Sequence, residues 1–151
     1  MANTMNYFEE ELLQDLDNEI RTGAISIGPD SAIYFSRLAE CYPVLGSKIH
    51  WSKVPASIEA CEPLDDLQSR AFSDFFAKMI ADHNLSGPAF YMGDSAVNFI
   101  IVASVEEFSK QIGVLLSVPQ HNYIVAADFS WCIVFTLEGD MAFGYSPRPF
   151  K

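Results

Sequence analysis

Alternating apolar residues in the stretch HNYIVAADFSWCIVFTLEGDMAFGYSP, residues 121–147, constrain the fold of this chain more than any other feature. A period of two is typical of β-strands, because successive side chains point to opposite faces of a sheet. Short turns separate the apolar runs, and Gly139 can adopt the positive φ that a tight hairpin turn requires. The stretch therefore predicts three neighbouring strands, with the sequences NYIVAA, WCIVFTL and MAFGYS.

The last two of these strands have a face of large residues and a face of smaller ones. The large face comprises Trp131, Ile133, Phe135, Leu137, Met141, Phe143 and Tyr145. Large aromatic side chains are usually buried, so we expect this face to belong to the core rather than to an exposed partner surface. The other face carries Ala142 and Gly144, which favours close packing of a helix against it.

Four helices are predicted where apolar residues recur at three- and four-residue spacing. They cover residues 5–22, a segment from Asp30 or Ser31 to just before Pro43, residues 64–84 and residues 104–117. Gly23 suits the end of the first helix, and Ser104 with Glu107 has the spacing of a capping box. In the fourth helix we expect the apolar face to be buried: Val105, Phe108, Ile112 and Leu115. In the long third helix, residues from Leu64 and Leu67 onward share one broad apolar face.

A further hairpin is predicted at residues 89–103, where AFYM and VNFIIVA flank a turn near Gly93 and Asp94. Residues 46–63 have weak periodicity, so we expect a loop with a short strand around residues 57–61. At 151 residues the chain fits one domain. The sequence thus predicts a single α+β domain over residues 1–151, with a mainly antiparallel sheet of about five strands in the C-terminal half and about four helices packed on it.

The charge balance restricts the kinds of partner. Twenty Asp and Glu residues against nine Lys and Arg residues give a formal net charge of −11. Nucleic acids and anionic membranes attract basic surfaces, so we expect neither to bind this chain directly. A basic protein partner and a plain solubility role both explain the acidity, and the net charge does not separate them.

We expect the protein to be soluble and cytoplasmic. Its first residues, MANTMNYFEEELLQ, lack the basic and apolar regions of a secretion signal, and apolar runs such as FIIVA are too short to span a bilayer. The cysteines Cys41, Cys61 and Cys132 form no CxxC pair, and Cys132 lies in an apolar run that is typical of a buried free thiol.

Carboxylates recur at the ends of the predicted strands and before the long helix. Seven of them are candidate partner-binding residues: Asp94, Asp128, Glu138 and Asp140 at the strand ends, and Glu62, Asp65 and Asp66, which form a second acidic cluster just before the long helix. Each taken alone fits ordinary turn chemistry or the preference of a helix N-terminus for anions. Together with the net charge, they predict a clustered acidic surface that would attract a basic partner and speed its association.

The enzyme hypotheses lack a nucleophile with a base. The three histidines are isolated and no zinc-binding spacing occurs, so we expect no metal. The GDS sequence at 93–95 has no GxSxG context and no phosphate-binding glycine motif is present, so we expect no cofactor. A small hydrolase is an alternative if the strands bring Asp94 and Asp128 together as a carboxylate pair. Trp51, which could stack a nucleic-acid base, is better explained as a cover on the core.

The pattern PQHNYIVAADFSWCIVFTLEGDMAFGYS, with the hairpin FYMGDS and a capped helix before it, resembles the C-terminal portion of a known group of proteins. These are the small immunity proteins of bacterial polymorphic-toxin and contact-dependent growth inhibition systems. The resemblance covers about residues 89–147 and rests on a general pattern, so it transfers no binding residue. It implies a cytoplasmic protein that binds and neutralises one cognate toxin domain, commonly a nuclease. An acidic adaptor without a toxin partner is the alternative.

Overall fold

The computed structural model describes residues 5–148 of the chain. Its helices are α1 Tyr7–Asp15, α2 Asp17–Thr22, α3 Ser31–Cys41, α4 Asp65–His83 and α5 Val105–Leu115. Its strands are β1 Ser26–Asp30, β2 Val44–Leu45, β3 Lys48–Ile49, β4 Ile58–Cys61, β5 Pro88–Gly93, β6 Phe99–Ser104, β7 Asn122–Ala126, β8 Trp131–Phe135 and β9 Asp140–Tyr145. A short 3₁₀ turn, Trp51–Lys53, follows β3.

Seven of the strands form one antiparallel sheet in the order β1-β6-β5-β7-β8-β9-β4. The predicted α+β class is therefore confirmed. The sheet is larger than the five strands expected, because β1 and β4 from the N-terminal half add one edge each. Strands β2 and β3 form a separate two-stranded hairpin.

The large-residue face of the sheet is covered by α1, α4 and α5. Phe135 on β8 packs against Phe72 and Phe75 of α4, with ring centroids 5.0 and 6.3 Å apart. At the other end of α4, the ring of His83 lies 4.4 Å from that of Phe143. Burial of this face confirms that most of its aromatic residues belong to the core. Leu137 and Tyr145 are the exceptions, since about half of each side chain is exposed.

The small-residue face is covered by α3 and by the irregular segment 42–57. A Cβ atom on Gly144 would lie 2.8 Å from Val54 Cγ1 and 3.0 Å from the Trp51 ring. The hydroxyl of Tyr42 donates to the Gly144 carbonyl oxygen at 2.7 Å. The expected helix on this face is therefore present as α3, whose Leu38 and Cys41 share a core cluster with Ala142. The close approach at Gly144, however, is made by the irregular segment.

Most helix boundaries follow the signals in the sequence. The Asp30 side chain accepts from the Ala32 N–H and starts α3, and the Ser104 hydroxyl accepts from the Glu107 N–H and starts α5. Gly23 ends α2 with a φ of 85°. The predicted helix over residues 5–22 is two helices, because the backbone of Leu16 leaves helical geometry between α1 and α2.

Candidate partner-binding site

The register of the sheet brings several predicted carboxylates to one end. Gly93, the last residue of β5, lies opposite Asn122, which in turn lies opposite Phe135 of β8. The residues that follow β5 and β8 therefore emerge at the same end of the sheet. Asp94 follows β5 directly, and Glu138 and Asp140 lie in and beside the turn that joins β8 to β9.

The second acidic cluster adjoins the same turn. Strand β4 pairs with β9 so that Cys61 lies opposite Asp140, and the Glu62 N–H donates to the Gly139 carbonyl at 2.9 Å. Helix α4 starts directly after this strand, with Asp65 and Asp66 in its first turn. We call the six residues at this end the acidic rim: Glu62, Asp65, Asp66, Asp94, Glu138 and Asp140.

Asp128 does not belong to the acidic rim. It lies in the turn between β7 and β8, beyond the pair Ala89–Ala126 at the opposite end of the sheet. Four residue steps, roughly 13 Å of strand, separate that pair from Gly93. Asp128 accepts from the Ser130 N–H at 3.0 Å, and its hydrogen bonds to Ser130 lower the pKa of its carboxyl group. It stabilises a turn, and the carboxylate pair with Asp94 that a hydrolase would need does not form.

The rim carboxylates are presented to solvent with few compensating cations. Lys48 on the β2–β3 hairpin lies 3.8 Å from Glu138, and both side chains are more than half exposed. It is the one ion pair within 4 Å that a rim carboxylate makes with another described side chain. An exposed pair of this kind contributes at most about 1 kcal/mol. Ion pairs with described side chains therefore leave most of the negative charge of the rim uncompensated.

Three exposed leucines interrupt the acidic rim. Leu64 is 56% exposed, Leu67 is 46% exposed and Leu137 is 53% exposed. The helical pattern placed the first two on the apolar face of α4, but they lie at its start, next to the end of the sheet. Gln68, which follows Leu67, approaches Gly139 closely: a Cβ atom there would lie 2.8 Å from its Nε2. Apolar residues bordered by charged ones are typical of protein–protein interfaces.

A groove lies on the small-residue face of the sheet, under the β2–β3 hairpin, and opens beside the acidic rim. Its volume is about 500 Å³. Trp51 and Tyr123 contribute aromatic walls, and Glu59 and Asp140 contribute carboxylates. His121 also lines it, and the Nδ1 atom of this histidine is buried without a hydrogen-bond partner among the described residues. We call this feature the face groove. The groove itself was not predicted from the sequence, and of its lining residues only Trp51 was assigned a place, as a cover on the core.

Cys61 and His121 both line the face groove but are too far apart to act as a nucleophile and its base. Cys61 ends β4 and His121 directly precedes β7, and β8 and β9 lie between these two strands, so the two residues lie roughly 14 Å apart. A catalytic pair needs contact at about 3 Å. The Cys61 thiol instead donates to Asp140, and this hydrogen bond raises the pKa of the thiol, which disfavours the thiolate.

No family model matches this chain, and no curated protein shows significant similarity to it. Among residues 5–148, no three side chains of the metal-binding types converge on a possible ion site. Within the same residues, no helix combines the length and apolar character needed to cross a bilayer.

Proposed function

We propose that this chain is an immunity protein that binds one cognate toxin domain, with a basic nuclease as the expected class, and neutralises it stoichiometrically in the cytoplasm. The observation that carries the proposal is the convergence of six carboxylates on one end of the sheet. The exposed leucines between them supply the apolar contact that a tight interface needs.

The physical basis is competition with phosphate. A nuclease binds its substrate through a basic groove, and carboxylates can occupy the positions of the phosphates with charge-assisted hydrogen bonds. The negative potential of the acidic rim would also steer the toxin and raise its association rate. A rigid seven-stranded sheet suits this role, because the rim is held in place before the toxin arrives.

The toxin class rests on the sequence resemblance of residues 89–147. This region forms β5 to β9 with α5, which are five adjacent strands of the sheet with one helix on them. The edge strands β1 and β4 lie outside this region, and the face groove lies partly outside it. The resemblance therefore supports the kind of partner, and the acidic rim supports the location of the interface.

The test is binding to the toxin domain encoded immediately upstream of the gene for this chain. We expect tight binding at about 50 mM NaCl that weakens steeply by about 500 mM. Glu138→Lys with Asp140→Lys should slow association at low salt by at least about tenfold, because the rim then repels the toxin. The melting temperature at about 150 mM NaCl should change little, since both side chains are exposed.

A matched control reverses two exposed carboxylates away from the rim, Glu40→Lys in the last turn of α3 and Glu106→Lys in the first turn of α5, so that their helix-dipole effects oppose each other. It changes the net charge equally, so it should slow association much less than the rim variant. Equal association rates for the two variants would show that the acidic rim is not part of the interface. Absence of binding, or of a toxin gene upstream, would overturn the proposal and favour the adaptor.

A further inference from the structure

We propose that the face groove receives an arginine side chain of the toxin domain. This inference rests on the proposed function and adds a specific contact to it. The groove opens next to the acidic rim, and Asp140 belongs to both. A toxin seated on the rim would therefore place its own basic surface directly over the groove.

The two groove carboxylates are spaced to hold a guanidinium group between them. Glu59 lies opposite Ala142, and Asp140 lies opposite Cys61, so the two acids share one face as diagonal neighbours on adjacent strands. Diagonal neighbours lie about 7–8 Å apart at the backbone, within reach of long side chains. A planar guanidinium can donate to Glu59 from one edge and to Asp140 from another. An ammonium group is a compact point charge and bridges two separated carboxylates less well.

The remaining groove residues also fit a planar donor. A guanidinium stacks favourably on an aromatic ring, and Trp51, which is only partly buried, provides one. Arginine carries five N–H donors and no acceptor. Lys48, the basic residue of the groove lining, is directed to Glu138, 3.8 Å away on the rim.

An anionic or purely apolar occupant fits less well. An anion would meet Glu59 and Asp140, and an apolar side chain would bury their carboxylates without hydrogen bonds. The volume of about 500 Å³ lies within the range of sites that take small ligands or single side chains with their backbone.

The first test uses Cys61 as a reporter of groove occupancy in the complex with the toxin domain. Cys61 is exposed, whereas Cys41 and Cys132 are buried, so iodoacetamide should modify Cys61 selectively. Binding of the toxin should slow this modification by at least about twentyfold. An unchanged rate in a saturated complex would show that the groove stays open and would overturn the inference.

The second test is a double-mutant cycle between Glu59 and the toxin. Glu59→Gln should raise the Kd by about tenfold or more, whereas Glu106→Gln should leave it unchanged. One arginine-to-lysine change on the toxin should raise the Kd by a similar factor. When both changes are present, the Kd should rise by less than the product of the two single factors, because they remove the same contact. If no toxin arginine couples to Glu59, the inference fails even though tight, salt-sensitive binding would leave the proposed function intact.

A third measurement tests the groove independently of the toxin. Argininamide should shift the indole N–H signal of Trp51 saturably in an NMR titration and leave that of Trp131 in place. Lysinamide should bind at least about tenfold more weakly, and Glu59→Gln should weaken argininamide binding about fivefold or more. If argininamide does not shift the Trp51 signal, or if the two amides bind equally, the groove is not specific for arginine. This outcome does not depend on whether the proposed function is correct.

Discussion

Gly139 is the residue on which the geometry of the acidic rim depends most. Its φ of 94° forms the β8–β9 turn, and its carbonyl accepts from the Glu62 N–H. A Cβ atom at this position would lie 1.9 Å from the Glu62 carbonyl oxygen, which is far inside van der Waals contact. The absence of a side chain thus lets the end of β4 approach the turn and brings Glu62 beside Glu138 and Asp140.

We predict that Gly139→Ala lowers the free energy of unfolding by about 3 kcal/mol, because backbone strain and overpacking add. Gly23→Ala is the control: Gly23 also has positive φ, at 85°, but nothing lies within 4 Å of its Cβ position. That control should lose only about 1–2 kcal/mol from strain. Urea denaturation of both variants measures the difference, and equal losses would show that the Glu62 contact has no energetic weight.

The positive φ of Gly139 could be predicted from the sequence, but the contact with Glu62 could not. A glycine in a short acidic turn between two apolar strands is a local signal. The pairing of β4 with β9 joins segments far apart in the chain, and β4 has three exposed residues out of four, so its pattern carried little information. For the same reason Glu62 was predicted as part of a separate cluster rather than of the rim.

At the scale of elements, the connection between β5 and β6 is held in place by one buried side chain. The Gln120 Oε1 atom accepts from the N–H groups of Ala96 at 2.7 Å and Val97 at 3.1 Å. Its Nε2 group donates to the Tyr91 hydroxyl at 3.0 Å and to Asn122 at 3.1 Å. Gln120 is 2% exposed. It thereby fixes the segment that carries Asp94 against the start of β7.

Replacing Gln120 by leucine should destabilise the protein by about 3 kcal/mol, because the buried Val97 N–H, the partly buried Ala96 N–H and the Asn122 side chain each lose a partner. Gln111→Leu on α5 is the matched control, since Gln111 makes a single, partly buried bond to Glu107. It should cost less than about 1 kcal/mol. Hydrogen exchange at Ala96 and Val97 should accelerate in the first variant only; unchanged protection there would contradict the assigned role.

Elements with a clear period were predicted from the sequence, whereas elements without one were missed. The pattern of α5 predicted the burial of Val105, Phe108, Ile112 and Leu115, which the structure confirms. Strand β1 has the sequence SIGPD, whose glycine and proline are unfavourable in strands, and it forms only because the edge of β6 is available to pair with it. The face groove lies between β2–β3 and the sheet, so tertiary packing alone creates it.

At the scale of the whole molecule, the formal net charge of −11 acts in two opposite directions. It would attract a basic partner, but repulsion among like charges also weakens the compact state. Three of the ion pairs between described residues join side chains four positions apart on one helix and are exposed. Such pairs contribute only a few tenths of a kcal/mol each, so repulsion outweighs them.

We therefore predict that salt stabilises the fold while it weakens toxin binding. Raising NaCl from about 20 mM to about 500 mM should raise the melting temperature by about 3 °C or more, because the repulsion is screened. The variant Glu138→Lys with Asp140→Lys should show a smaller rise, since each reversal removes one negative charge and adds a positive one, changing −11 to −7.

The control Glu40→Lys with Glu106→Lys has the same net charge and should show the same reduced rise. The two variants should thus agree in calorimetry and differ in toxin association, because net charge governs the first property and the position of charge governs the second. A melting temperature that falls with NaCl would show that attractive pairs dominate the folded state. A different salt response of the two variants would show that the acidic rim is a local source of instability.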